Sequence, residues 1–264
     1  MDERSDHDIC KDIRRLSPGY EGTYPKETEW MPKGEGTAAK RRCGRFMEID
    51  LKKDLLSRGC PVCDHIEKRL FDFFAHYQFA LASDEKTQQD FADEGGLCPF
   101  HIWQLAEVSS NRGLAKGLPD FLFRTADDLM RLAEDPSQPD SMNHTFINDS
   151  SQCHVCDRLR QLEGEYIHLL ADFLQKEDGR QAYLSSHGVC LRHLKLLLAA
   201  SRTGEIRRFL LFAAAHRFRD LKKDLNHYAQ KEARQRYALT RDEKDAVRRA
   251  LIHMAGAKYV CYLS

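Results

Sequence analysis

From Phe46 onward, apolar side chains recur every three or four positions. The stretch FMEIDLKKDLL sets Phe46, Ile49, Leu51, Leu55 and Leu56 near the period of a helix, and Gly59 stops it just before CPVC. After Cys63, DHIEKRLFDFFAHYQFALA places Ile66, Leu70, Phe73, Phe74, Tyr77 and Leu81 on one broad face, the strongest amphipathic helix of the chain. SDEKTQQDFADEGG is a loop or a short second helix ending at glycine. LCPFHIWQLAEVSS starts another helix, and a further one begins near Pro119 and runs through DFLFRTADDLMRLAE. The pattern then starts again. CHVC precedes the amphipathic run DRLRQLEGEYIHLLADFLQ, the connector KEDGRQAYLSSHG, the helix VCLRHLKLLLAA and the long segment EIRRFLLFAAAHRFRDLKKDLNHYAQ. Thr240 with Glu243 is a capping box ahead of a stripe formed by Val247, Ala250, Leu251 and Met254. A last helix should therefore end at Gly256, with AKYVCYLS lying back on the body. Alternating strand patterns are nearly absent, so the fold class is all-α.

The two halves keep register. Cys60, Cys63 and Asp64 map onto Cys153, Cys156 and Asp157 at an offset of 93, and Phe91, Gly96, Cys98, His101 and Leu105 map onto Tyr183, Gly188, Cys190, His193 and Leu197 at an offset of 92. One deletion in the connector accounts for the change. Such a duplication implies two tandem copies of one helical unit, packed with pseudo-two-fold symmetry. The expected organisation is a polar N-terminal arm over 1–45, broken by Pro18, Pro25 and Pro32, a first repeat over 46–135, a linker over 136–150 rich in Pro, Ser, Asn and Asp, a second repeat over 151–236, and a C-terminal helix and tail over 237–264.

Each half offers three thiols and an imidazole: Cys60, Cys63, Cys98 and His101, then Cys153, Cys156, Cys190 and His193. Cys-x-x-Cys at a turn aims two sulfurs at one small ion, and Cys-x-x-His at a helix start does the same from the other side. Together they supply the Cys3His tetrahedron of a structural zinc site, one per repeat. The long interval between the pairs suits a helix that leaves the first pair and a connector that returns to it. Pro61 and Pro99 tighten the turns, and Gly96 and Gly188 let the backbone approach the ion or take positive φ. Thiols at helix N-termini have depressed pKa values, which favours metal-binding thiolate. Each clip would stabilise its unit by about 10 kcal/mol or more. The alternative occupant is an iron–sulfur cluster on the same ligands. Thiol redox chemistry at CPVC lacks its usual βαβ setting and leaves the other donors unexplained. A lone Cys-x-x-Cys is often two buried small hydrophobes, so the matched duplication carries the metal reading.

Composition narrows the rest. Of 264 residues, 42% are hydrophobic and 31% charged, which suits a surface-rich helical protein. The start, MDERSDHD, lacks a secretory signal, and no run approaches the length of a membrane span, so a cytoplasmic home is expected. Nine cysteines, an odd number, fit metal better than a disulfide framework, and Cys10, Cys43 and Cys261 have no evident partner. Net charge is zero but uneven: residues 201–264 hold fifteen Lys and Arg against seven Asp and Glu, an excess of eight positive charges that the remainder offsets. No recognition motif or basic block accompanies it, so a solvated basic face is preferred over nucleic-acid binding. His65, His154 and His187 sit beside donor cysteines but are expected on exposed loop or helix surfaces; Phe71, Phe73, Phe74, Tyr77, Phe121 and Phe123 are expected in the core. No phosphate loop, nucleophile elbow or dinucleotide fingerprint is present.

On Cys-Pro-Val-Cys, the Phe- and Tyr-rich helix and Gly-Leu-Cys-x-x-His, the chain resembles a group of uncharacterised prokaryotic proteins with a duplicated Cys-Pro-x-Cys … Gly-Phe-Cys-x-x-His domain, over about residues 57–230. The second half departs from that pattern, with His154 in place of the proline and Val189 in place of the usual aromatic or leucine. The resemblance implies a metal-binding helical fold in a prokaryotic cytoplasm and no activity. The expected function is a non-enzymatic, two-zinc helical module serving another protein. Iron–sulfur electron transfer or redox sensing, or an accessory enzyme with a pocket between the repeats, are the alternatives.

Overall fold

Every secondary-structure element among the described residues is an α-helix. The computed structural model describes residues 49–134, 148–231, 238–258 and 260. In chain order the helices are α1 (Leu51–Asp54), α2 (Pro61–Ser83), α3 (Glu85–Asp93), α4 (Pro99–Val108), α5 (Asn111–Gly117), α6 (Pro119–Glu134), α7 (His154–Phe173), α8 (Glu177–Leu184), α9 (Leu191–Ala200), α10 (Gly204–Gln230) and α11 (Arg241–Ala255). The expected N-terminal arm, residues 136–147 of the expected linker, and Cys10, Cys43 and Cys261 lie outside the described residues.

Local chemistry sets the helix starts. Pro61 opens α2, where its missing N–H costs nothing. The Asp84 carboxylate caps α3 by accepting from the Thr87 amide at 3.0 Å, and the Thr203 hydroxyl does the same for α10 at 3.3 Å from the Ile206 amide. The expected capping box opens α11: the Glu243 amide donates to Thr240 Oγ1 at 3.2 Å and the Thr240 amide to Glu243 Oε2 at 2.8 Å. Gly96 and Gly188 adopt left-handed φ of 73° and 78°, as expected, at the turns that lead into α4 and α9.

The chain divides into two compact units. Among the described residues, the first contains 72–134 with 148–149, and the second contains 49–71 with everything from 150 onward. The first Cys-x-x-Cys, at 60–63, therefore belongs with the second half of the chain. The first unit buries rings: Phe73 lies 5.1 Å from Phe74 and 5.0 Å from Tyr77, and Phe91 meets Phe121 edge-on at 5.6 Å. In the second, α9 packs on α7, α10 and α11, enclosing Leu159, Tyr166, Leu170, Leu197 and Leu210. Each such side chain contributes roughly 1.5–3 kcal/mol by leaving water. Residues 49–71 are tied into this unit by buried Leu55 and Ile66, by the Tyr166 hydroxyl donating to Asp54 at 3.0 Å, and by the His65 ring 4.9 Å from that of Tyr166.

Three expectations change. Residues 46–48 of the expected first helix lie outside the described residues; among those described, it is only the four residues of α1, and Leu56 beyond it is exposed. Phe121 is half-buried and Phe123 is 70% exposed, because α6 buries none of its residues. Helix α11 turns its apolar stripe outward: Val247, Leu251 and Met254 are exposed, while Glu243, Ala246, Arg249 and His253 are buried. Charge decides that orientation. Arg249 donates to Asp224 and Asp245, both at 2.8 Å, and Arg58 grips Asp245 and Asp242, so the inward charges meet ready partners.

Candidate metal centres

Four donors converge inside the second unit. Cys60 precedes α2, Cys63 lies in its first turn, Cys190 is the N-cap of α9 and His193 lies in the first turn of α9. The Cys190 side chain makes no capping hydrogen bond, so its sulfur turns inward instead. His193 Nδ1 sits 3.2 Å from Cys60 Sγ, 3.4 Å from Cys63 Sγ and 3.2 Å from Cys190 Sγ, and Cys63 Sγ lies 4.0 Å from Cys190 Sγ. All four side chains are buried, with every donor atom within 4.8 Å of the others. A tetrahedral zinc ion with ordinary bond lengths has edges of about 3.6 Å between sulfur and nitrogen and about 3.8 Å between sulfurs. The donors already stand close to that figure, so these residues fit one four-coordinate ion.

This corrects the expected pairing. Cys60 and Cys63 close with Cys190 and His193 of the other repeat, not with Cys98 and His101. Both closing pairs have the same Cys-x-x-His spacing, so the sequence distinguishes them only through packing. Packing places residues 49–71 against α7, α8 and α11: beside the Tyr166–Asp54 bond, Lys52 pairs with Asp178 at 3.0 Å and Arg58 bridges to α11.

The remaining donors are Cys98 and His101 in the first unit and Cys153 and Cys156 in the second. All are buried, and by composition they are a second Cys3His set. Cys98 Sγ lies 3.3 Å from His101 Nδ1, and Cys98 and Cys153, like Cys190, are helix N-caps without a side-chain capping bond.

Support for His193 comes from residues that spacing did not single out. Glu163 Oε1 lies 2.7 Å from His193 Nε2, and Arg192 clasps the same carboxylate through two bonds of 3.0 Å. With Nε2 turned to a carboxylate, the lone pair of Nδ1 is free to face the sulfurs. Burial works against it, but bonds from His193 and Arg192 hold the Glu163 carboxyl below its usual range. The Ala257 amide donates to Cys63 Sγ at 3.4 Å, bringing the segment after α11 onto the cluster. Among the tetrad's own groups, burial pushes the Cys60 thiol up, bonds from Cys60 and Cys63 pull Cys190 down, and, against burial, Cys190, Cys63 and Glu163 push His193 up to about 11. Metal binding must therefore release protons. Glu163 carries a visible signal, a lone carboxylate inside the apolar stripe of Leu159, Leu162, Tyr166 and Leu170.

A family profile matches residues 56–260, a span that takes in all eight donors and Glu163. The chain belongs to DUF6062, a family of unknown function. Comparison with curated proteins gives no match, and comparison with solved structures gives none either. The family thus assigns no chemistry to the donors. Other histidines stay outside the tetrad: His65, His154 and His187 are half-buried rather than exposed, and burial pushes His65 down to about 4. No described helix is long and apolar enough to cross a membrane.

Proposed function

We propose that this protein is a non-enzymatic, zinc-stabilised helical module that serves another protein. Cys60, Cys63, Cys190 and His193 hold one ion, and Cys98, His101, Cys153 and Cys156 hold the other. The observation that carries the reading is the buried tetrad of the second unit. Three thiols and an imidazole saturate a tetrahedral ion and leave no position for water or substrate, which is the form of a structural site. The donor spacing favours a single ion over a cluster, because a cluster of several irons must sit among its sulfurs and spread them apart. Thiolate with imidazole in a four-coordinate cage is chemistry that zinc prefers. The second ion is proposed on composition: the donors left over, Cys98, His101, Cys153 and Cys156, are again three thiols and an imidazole.

Elemental analysis of the purified protein tests this. The expected result is a colourless protein with two zinc ions per chain, falling to one in Cys190→Ser and to one in Cys98→Ser. Unchanged metal content in both variants sinks the reading. A brown, iron-containing protein after anaerobic purification transfers it to iron–sulfur chemistry.

A further inference from the structure

Two helices of this chain present apolar faces to solvent, and their charges are opposite. On α11, Val247, Leu251 and Met254 form an exposed ridge with the four-and-three spacing of a helix-pairing seam. Arg241, Lys244 and Arg248 are exposed on the same side of the helix. Every acid of α11 is already engaged: Asp242 and Asp245 by Arg58, Asp245 also by Arg249, and Glu243 by Lys231. Arg248 feels Asp64 and Glu67, but among the described residues none of the three bases forms an ion pair.

Helix α6 is the counterpart. Leu122, Phe123, Leu129 and Met130 are exposed, and Asp120, Asp127 and Glu134 stand three or four positions from Phe123 and Met130, along one edge of that face. Here the bases are engaged, Arg124 by Asp93 and Arg131 by Asp128. Asp120, Asp127 and Glu134 form no ion pair among the described residues. An apolar recess of about 330 Å³ opens beside Leu122, walled by Phe121 and Trp103.

We propose that the protein self-associates head to tail, the α6 face of one copy packing on the α11 face of a second copy. Apolar ridge then meets apolar ridge, and the acids of one helix lie beside the bases of the other. Two α11 faces together would oppose base to base, and two α6 faces acid to acid, so the contact is heterologous. An anionic bilayer would suit α11 but would repel α6. A single helix-on-helix contact is small, so the affinity is modest, with a Kd on the order of 10–100 µM. This inference rests on the interaction-module reading and names its partner.

Sedimentation velocity of the metal-loaded full chain, from about 10 to 200 µM and at low and high salt, bracketing the affinity range of such small contacts, is the test. Association is expected to grow with concentration, to extend past the dimer and to weaken with salt. Lys244→Glu/Arg248→Glu and Asp127→Lys/Glu134→Lys should each be monomeric alone. Mixed, they should associate again and extend past the dimer in equal proportions, because the acidic α6 of the first variant meets the basic α11 of the second and the basic α6 of the second meets the acidic α11 of the first. That pairing also proves both variants folded. A monomeric wild type with both metal ions bound overturns the inference while leaving the metal sites intact. Self-association that persists in either variant, a mixture that stays monomeric, or binding to phosphatidylserine vesicles without self-association also overturns it.

Discussion

At His193 the outer ring nitrogen meets Glu163, which Arg192 grips in turn; at His101 the ring lies beside Phe74 and Phe100, with centroids 6.1 and 5.3 Å away. The repeat register makes the contrast exact in position. Ninety-three residues before Glu163 stands Leu70, and ninety-two before Arg192 stands Phe100. The two Cys-x-x-His ends keep their donors and differ in what surrounds the imidazole. The difference is one of degree across both units: the second buries Glu163, Glu243, Arg249 and His253, while the first, which also buries Asp72, leans on Phe73, Phe74, Tyr77 and Phe91. A motif can thus preserve a ligand set while its supports diverge from paired charge to packed rings, two ways of fixing a ring that respond differently to mutation and to pH.

The largest test breaks the exchanged pairing itself. Cys60→Ser should remove one ion and a contribution on the order of 10 kcal/mol to the second unit. Adding Cys190→Ser should cost no further metal, since both residues serve one site. Adding Cys98→Ser to Cys60→Ser should strip the second ion. If repeats closed on themselves the two double variants would give the reverse, so metal counts on three proteins decide between the arrangements.

That pairing marks the limit of what the sequence discloses. The all-helical class, the capping box at Thr240, the glycine turns and the eight donors are local features, each readable within a few residues. Which Cys-x-x-His closes on Cys60 is not local: both candidates have the same internal spacing, and the choice falls to contacts such as Tyr166 with Asp54. The orientation of α11 misleads for a related reason. Val247, Leu251 and Met254 are the more apolar stripe, but the opposite stripe faces Arg58 and Asp224, which lie far away in the chain. A periodicity rule counts methyl groups and cannot see a waiting counter-ion.

A smaller effect should separate the two imidazole environments. Glu163→Gln keeps a group able to bond His193 Nε2 but removes the charge that Arg192 clasps. Metal affinity should fall about 10-fold, at the low end of the range for such supporting contacts. Only one of the two ions should be affected. Competition against a chromophoric chelator resolves the two binding steps, and equal weakening of both would mean that Glu163 acts through general stability and not through His193.

The smallest effect is the pH dependence contributed by the charged groups of the second unit. Glu243 is held down to about 2 by the Thr240 amide, with Lys231 and His227 adding to it, and Arg58 keeps the Asp242 carboxyl low as well. A carboxyl whose folded value is depressed stabilises the fold above its ordinary value, near 4.5 for Glu243, and that contribution fades as pH falls toward the folded value of about 2. In the first unit the matching case among the described residues is the exposed cap Asp84. Acid also protonates the metal donors of both units, so the informative quantity is the gap between wild type and Glu243→Gln. Denaturant midpoints should differ at pH 6, with wild type the more stable, and should converge as pH is lowered through 4 toward 3. A gap that stays constant across that window would show that the Gln substitution weakens α11 through shape alone, and that the charge of Glu243 adds nothing to the stability of the second unit.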